Sequence, residues 1–226
     1  MPTSRERTLQ RQMVRACQAL WQRGFVAATD GNITARLAKG RFLCTPSGMS
    51  KSEVREGDLV ICDAQGKKTG GARAGKVSNE IRVHLAAYRA RPDVGAVVHA
   101  HPPVATAFTF AGKEDLLRWP VMPEVVVLLG PVPAVPYVTP GTEALAEAAA
   151  PYFHESDVVL LAQRGAVAFG ADPWDAYLKM EKLEHAATVL KHACELAELP
   201  DKPNVKVLDM KQVRELLELY GKDKPR

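Results

Sequence analysis

The chain opens on a helical pattern. Leu9, Met13, Cys17 and Leu20 fall three or four residues apart and share one face of a helix, with Ser4 read as its cap and Gly24 near its end. The pattern then becomes strand-like. Apolar runs at 33–37, 41–44 and 59–62 are short and separated by turn chemistry such as Asp63-Ala64-Gln65-Gly66, which predicts neighbouring antiparallel strands. Ile81, Leu85 and Tyr88 restore helical spacing behind Ser78, and Arg91-Pro92 stops that helix. A strand over 96–101 is closed by Pro102-Pro103, and a short helix follows over 105–108. Residues 125–129 and 158–161 read as further strands, and 166–169 as a hairpin partner. Thr142 is placed to cap a helix over 143–153, and Asp172-Pro173 to open one that reaches Leu199. Pro200-Asp201-Lys202-Pro203 reads as a linker, 210–220 as a last amphipathic helix, and 222–226 as a frayed end. Mixed strands and helices without regular β-α-β alternation predict an α/β layered domain over 1–200, with a linker and helical tail over 201–226.

Length and composition narrow the class. A domain near the length of this 226-residue chain buries roughly 70% of the surface its unfolded chain exposes, so a conventional core is available. With 46% hydrophobic and 25% charged residues, the chain is neither disordered, collagen-like nor a coiled coil. The net charge of +4 is spread along the sequence, which gives no basis for nucleic-acid binding but suits a small anion. The polar start, without a signal-peptide pattern, and the lack of a membrane-length apolar run predict a cytoplasmic protein with no membrane partner. Cys17, Cys44, Cys62 and Cys194 form no C-x-x-C pair and read as reduced, packed thiols.

Few residues carry chemistry on their own spacing. His99 and His101 occupy i and i+2 of a strand, so their imidazoles share a face and can meet at one cation; two hydrogen-bonded histidines of a half-buried strand fit the spacing equally well. Ser78-Asn79-Glu80 stands at a helix start, where free amides favour anions, although Glu80 also suits the first turn of any helix. Asp30-Gly31-Asn32 and Thr45-Pro46-Ser47-Gly48 are tight turns able to present amides and hydroxyls to a phosphate. The run from Gly70 to Lys76 has the glycine and lysine spacing of a P-loop. Val77 stands where the magnesium-binding hydroxyl belongs, so a basic surface loop is the better reading.

In order, these pieces resemble the class II aldolase/adducin family. The matching run is Gly31-Asn32, Thr45-Pro46-Ser47-Gly48, Ser78-Asn79-Glu80, Val97-Val98-His99-Ala100-His101-Pro102, and Pro136-Tyr137 with Gly141-Thr142, spread over about 9–194. The resemblance implies a three-layer α/β/α domain with a central, mainly antiparallel sheet, assembled as a homotetramer. It implies a metal-dependent aldolase that cleaves a small phosphorylated ketose to dihydroxyacetone phosphate and an aldehyde through an enediolate. Gly31, Asn32, Ser47, Gly48, Ser78 and Asn79 would hold the substrate phosphate, Glu80 would be the acid/base, and His99 and His101, with Glu80, would bind Zn2+ or another divalent cation. Such a cation suits an enediolate because it neutralises charge at the two oxygens while a carboxylate moves the proton.

One position departs from the family's pattern. A third histidine is expected from an Asn-His-Gly or His-His-Gly turn after a strand, and Arg164 stands there instead. A guanidinium has no lone pair to offer a cation. Three readings follow. Glu80 and two histidines make a His₂Glu set; or Arg164 repels the metal and itself stabilises an enolate or binds a substrate carboxylate; or the domain is an adducin-like binding or assembly module. Decarboxylation, dehydration and epimerisation draw on the same enediolate stabilisation as aldol cleavage.

Overall fold

A computed structural model describes residues 2–197 and 205–221. Eight strands form one sheet: β1 (Asn32–Arg36), β2 (Phe42–Cys44), β3 (Val60–Cys62), β4 (Lys68–Gly71), β5 (Ala96–Ala100), β6 (Ala134–Val135), β7 (Val158–Leu161) and β8 (Gly165–Gly170). Their order across the sheet is β4-β3-β2-β1-β5-β8-β7-β6. Every neighbouring pair is antiparallel except β6 with β7.

Side-chain alternation divides the core between the two faces. Ile33, Ala35, Val98, Ala100 and Leu160 point to one side, where they meet α1 (Ser4–Gln22), α3 (Pro103–Phe110) and α6 (Pro173–Leu196). Val97, Val159, Val167 and Phe169 point to the other, under α2 (Ile81–Ala90) and α5 (Glu143–Ala149). With helices on both sides, the expected three-layer α/β/α arrangement with a mainly antiparallel sheet is present. No helix among the described residues is long and apolar enough to cross a membrane, and all four cysteines are free.

Several boundaries differ from expectation. The first helix is capped by Thr3 rather than Ser4, because Thr3 and Glu6 exchange side-chain bonds with each other's backbone amides in a capping box. Residues 125–129 are helical, not extended: α4 (Pro123–Leu128) has proline in its first turn, and its valines pack on two sides. Val125 faces the main core and Val126 faces Val213 and Leu217 of α7 (Met210–Leu219), so tertiary contacts override β-branched propensity. The helix over 105–108 extends to Pro103–Phe110, and the one over 143–153 breaks into α5 and a 3₁₀ turn, Ala150–His154, where Pro151 withholds an amide. Strands β4 and β6 have no counterpart among the expected strands. The first takes Gly70 and Gly71 from the stretch read as a loop. The helix α6 ends at Leu196, while the expected end at Leu199, the linker at 200–203 and the frayed end at 222–226 lie outside the described residues.

Candidate active site

Register brings the histidines to their place. Asn32 is directly opposite His99 across β1 and β5, and Val167 flanks His99 on the other side. Asn32 and His99 therefore share the face covered by α2, and the i+2 spacing sends His101 the same way. The imidazoles lie edge to face with centroids 5.1 Å apart, and their Nε2 atoms are separated by 3.3 Å. His99 Nδ1 is 3.0 Å from the Ala166 carbonyl, a contact satisfied when Nδ1–H donates and Nε2 keeps its lone pair. His101 Nδ1 faces Asp30 Oδ2 at 3.5 Å. Burial lowers the pKa of both imidazoles to about 4, so both are neutral near pH 7; His99 adds to the shift at His101, and Asp30 opposes it at both.

Glu80 joins this pair from the helix side. It stands at the N-cap of α2, two residues later than Ser78, the residue the sequence set behind the helix. The carbonyls of Ser78 and Glu80 accept from the Ile81 and Val83 amides, so this helix end offers fewer free amides to an anion than expected. Asn32 Nδ2 donates to Glu80 Oε2 at 2.7 Å, and the same oxygen lies 3.7 Å from His99 Nε2. Arg164 Nη2 donates to the other oxygen, Oε1.

Arg164 reaches Glu80 from a tight connection. Residues 162–164 join β7 to β8, with Gln163 in the left-handed region and its amide donating to Thr109 Oγ1 at 2.9 Å. Gly165 closes the turn at φ +138°, where a Cβ would lie 2.3 Å from the Ala100 carbonyl and 2.8 Å from the His101 ring. Only glycine lets the turn lie this close to the second histidine. Gly31 plays a similar part at φ +71°, since a Cβ there would stand 2.9 Å from the His99 carbonyl.

A pocket of about 400 Å³ opens over these groups. Gly31, Asn32, Ser47, Gly48, Ser78 and Asn79 all line it, together with Glu80 and Arg164. All the residues nominated for phosphate binding therefore share one cavity, while His99 and His101 stand at its Glu80 side without lining it. The donors among the nominated phosphate binders are neutral: amides, hydroxyls and carboxamides.

Lys51 carries no signal in the sequence pattern. Its side chain is fully buried at 1% exposure, and its ammonium donates to the carbonyls of Thr29 at 3.1 Å and Met49 at 2.9 Å. It thereby ties together the two loops that carry Gly31-Asn32 and Ser47-Gly48. Burial lowers its pKa, against weaker support from Cys17 and Asp30. A lone lysine in a polar stretch carries no pattern, and only the packed loops reveal its part.

The donor set suits a divalent cation in part. Two nitrogens each about 2.0–2.1 Å from a tetrahedral zinc stand about 3.3 Å apart, which matches the Nε2 separation found here. No group of three or more His, Cys, Asp or Glu side chains among the described residues is arranged to hold a metal, and Glu80, the nearest further donor, is held on its other oxygen by Arg164.

The profile of the class II aldolase and adducin N-terminal domain matches residues 11–190. The chain belongs to the class II aldolase and adducin family. A 3-oxo-tetronate 4-phosphate decarboxylase of Escherichia coli is 33% identical over 188 residues, covering 82% of this chain and 87% of the relative. An L-fuculose phosphate aldolase of Methanocaldococcus jannaschii is 32% identical over 177 residues, covering 78% and 92%. Among solved structures, YgbL of Klebsiella pneumoniae superposes with a TM-score of 0.82 at 30% identity, covering 93% of this chain and 98% of that one. Class II aldolases are generally dependent on a divalent metal, and the named relatives are enzymes acting on phosphorylated sugars or sugar acids.

Proposed function

We propose that the chain is a lyase that breaks a carbon–carbon bond beside the carbonyl of a small sugar phosphate through an enediolate. The finer reading is aldol cleavage of a phosphorylated ketose to dihydroxyacetone phosphate and an aldehyde. One observation carries it: Glu80, held on one oxygen by Asn32 and on the other by Arg164, stands at the wall of a pocket whose remaining donors suit a phosphate. Gly31, Asn32, Ser47, Gly48, Ser78 and Asn79 anchor that phosphate through neutral hydrogen bonds, which places the carbon beside the carbonyl near Glu80. Glu80 takes a proton there and returns it.

His99 and His101, with Glu80 as an oxygen donor, would hold a divalent cation such as zinc, which when bound supplies Lewis-acid stabilisation of charge on the sugar oxygens. We take the working unit to be the domain of residues 1–200 followed by a linker and tail, in a cytoplasmic homotetramer. Light scattering on the purified protein should then return four times the chain mass of 24.6 kDa.

A second reading, decarboxylation of a phosphorylated oxo acid, is favoured by Arg164, because a guanidinium in the pocket suits a substrate carboxylate. Glu80→Gln tests what the readings share. The variant should bind dihydroxyacetone phosphate about as well as wild type yet lose exchange of its carbon-bound protons with solvent, since Gln keeps the shape and lacks the base. Undiminished exchange would remove Glu80 from the mechanism. Assays with a phosphorylated ketose and a phosphorylated oxo acid then separate the two reactions by product, an aldehyde or carbon dioxide.

A further inference from the structure

Resting on the reading of this pocket as a lyase site for sugar phosphates, we propose that Arg164 is itself a catalytic residue. Its guanidinium binds the substrate oxygen that becomes negative when Glu80 removes a proton from the adjoining carbon. The site then meets the enediolate charge with a side chain of its own, whether or not a cation is bound.

Two observations and one constraint of carbonyl chemistry carry this assignment. The guanidinium touches Glu80 Oε1, while Asn32 fixes Oε2, so the carboxylate and the cation are held as one unit. In a carbonyl compound the acidic proton and the oxygen that receives the charge sit on neighbouring carbons. A cation in contact with the base is therefore within reach of that oxygen. Arg164 also has donors to spare, since its side chain is 32% exposed at the pocket wall while its contact with Glu80 is made through Nη2.

The charge bookkeeping favours the arrangement. As the carbon–hydrogen bond breaks, the proton passes to the Glu80 carboxylate, the bonding pair forms the carbon–carbon double bond, and the carbonyl π pair moves to oxygen. Negative charge thus travels from Glu80 to the substrate oxygen, and one guanidinium faces both ends of the transfer. A fixed cation of this kind needs no reorganisation at the moment of reaction.

Deuterium exchange into dihydroxyacetone phosphate, followed by mass spectrometry, tests the assignment on full-length protein, with and without zinc after dialysis against EDTA. Wild type stripped of metal should keep exchange within about tenfold of its zinc-supplemented rate. Stripped Arg164→Gln should fall by at least about 100-fold, as loss of an oxyanion donor does elsewhere, with calorimetric affinity for dihydroxyacetone phosphate changed by less than about threefold. Arg164→Lys should recover part of the exchange because it restores the charge. A zinc titration gives a readout separate from turnover: Arg164→His should bind zinc at least about tenfold more tightly than wild type and should exchange only when zinc is present.

If wild type binds dihydroxyacetone phosphate and exchanges only with zinc, or if stripped Arg164→Gln exchanges as well as stripped wild type, Arg164 has no such role and the lyase reading stands. If wild type shows neither binding nor exchange under either condition, the reading of the pocket falls and the assignment falls with it.

Discussion

His84 shows how one buried side chain sets a pH dependence. It lies one turn along α2 from Glu80, fully buried, with Nδ1 2.9 Å from Thr34 Oγ1 and Nε2 unpartnered. Burial, with a smaller contribution from His99, lowers its pKa from 6.5 to about 3. Below pH 6.5 the unfolded chain takes up the proton first, so folding stability is complete above that value and declines between 6.5 and about 3. Thermal midpoints measured down this range should fall in wild type and fall less steeply in His84→Gln; equal slopes would show that His84 does not set them. The slope should not vanish, because His99 and His101 are shifted in the same direction. The spacing of Glu80 and His84 was legible in the sequence, but the shift was not, because it depends on what the sheet and helix together exclude.

Two parts of the fold near the site are each held by a single side chain. Glu184 of α6 accepts from the amides of Val104 and Ala105, both at 2.9 Å, and so caps the helix that begins just past His101. Glu184→Ala should cost about 1–2 kcal/mol in denaturant unfolding, the range of a lost N-cap. Lys51 acts on the loops instead. Lys51→Met should weaken binding of dihydroxyacetone phosphate in calorimetry by about tenfold or more, with Lys51→Arg intermediate, because the two loops lose their shared donor and a buried positive charge. Unchanged affinity would reduce Lys51 to a packing residue. The sequence pattern placed α1 and α2 through apolar faces of helical period, α6 through its Asp172-Pro173 start, and most strands through short apolar runs bounded by turn residues. It misread α4 because three consecutive valines suit a strand equally well until α7 and the main core cover them from two sides.

The whole molecule depends on a polar clamp that links the helical layers past the edge of the core. Arg91, the C-cap of α2, pairs with Asp157 at 3.0 Å and with Asp93 at 2.7 Å, and donates to the Phe153 carbonyl. Lys179 of α6 reaches Asp157 at 3.1 Å and the Phe169 carbonyl at 2.9 Å. Asp157 thus connects helices packed on opposite faces of the sheet. Arg91→Met should destabilise the fold by about 3 kcal/mol, since removing one member of a mostly buried ionic group leaves its partner undercompensated. A chemical-denaturation curve is the measurement, and a change below about 0.5 kcal/mol would show that Asp157 is satisfied without Arg91.

Local pattern by itself determined most helices and strands and the common face of His99 and His101, because each rests on residues a few positions apart, and the linear order of short motifs marked the family. Only the tertiary structure decided the rest. It set Asn32 beside His99 through strand register, drew Arg164 onto Glu80 from 84 residues away, and buried Lys51 between two loops. These contacts join segments whose approach depends on the packing of every layer between them, and no short-range periodicity encodes such a distance.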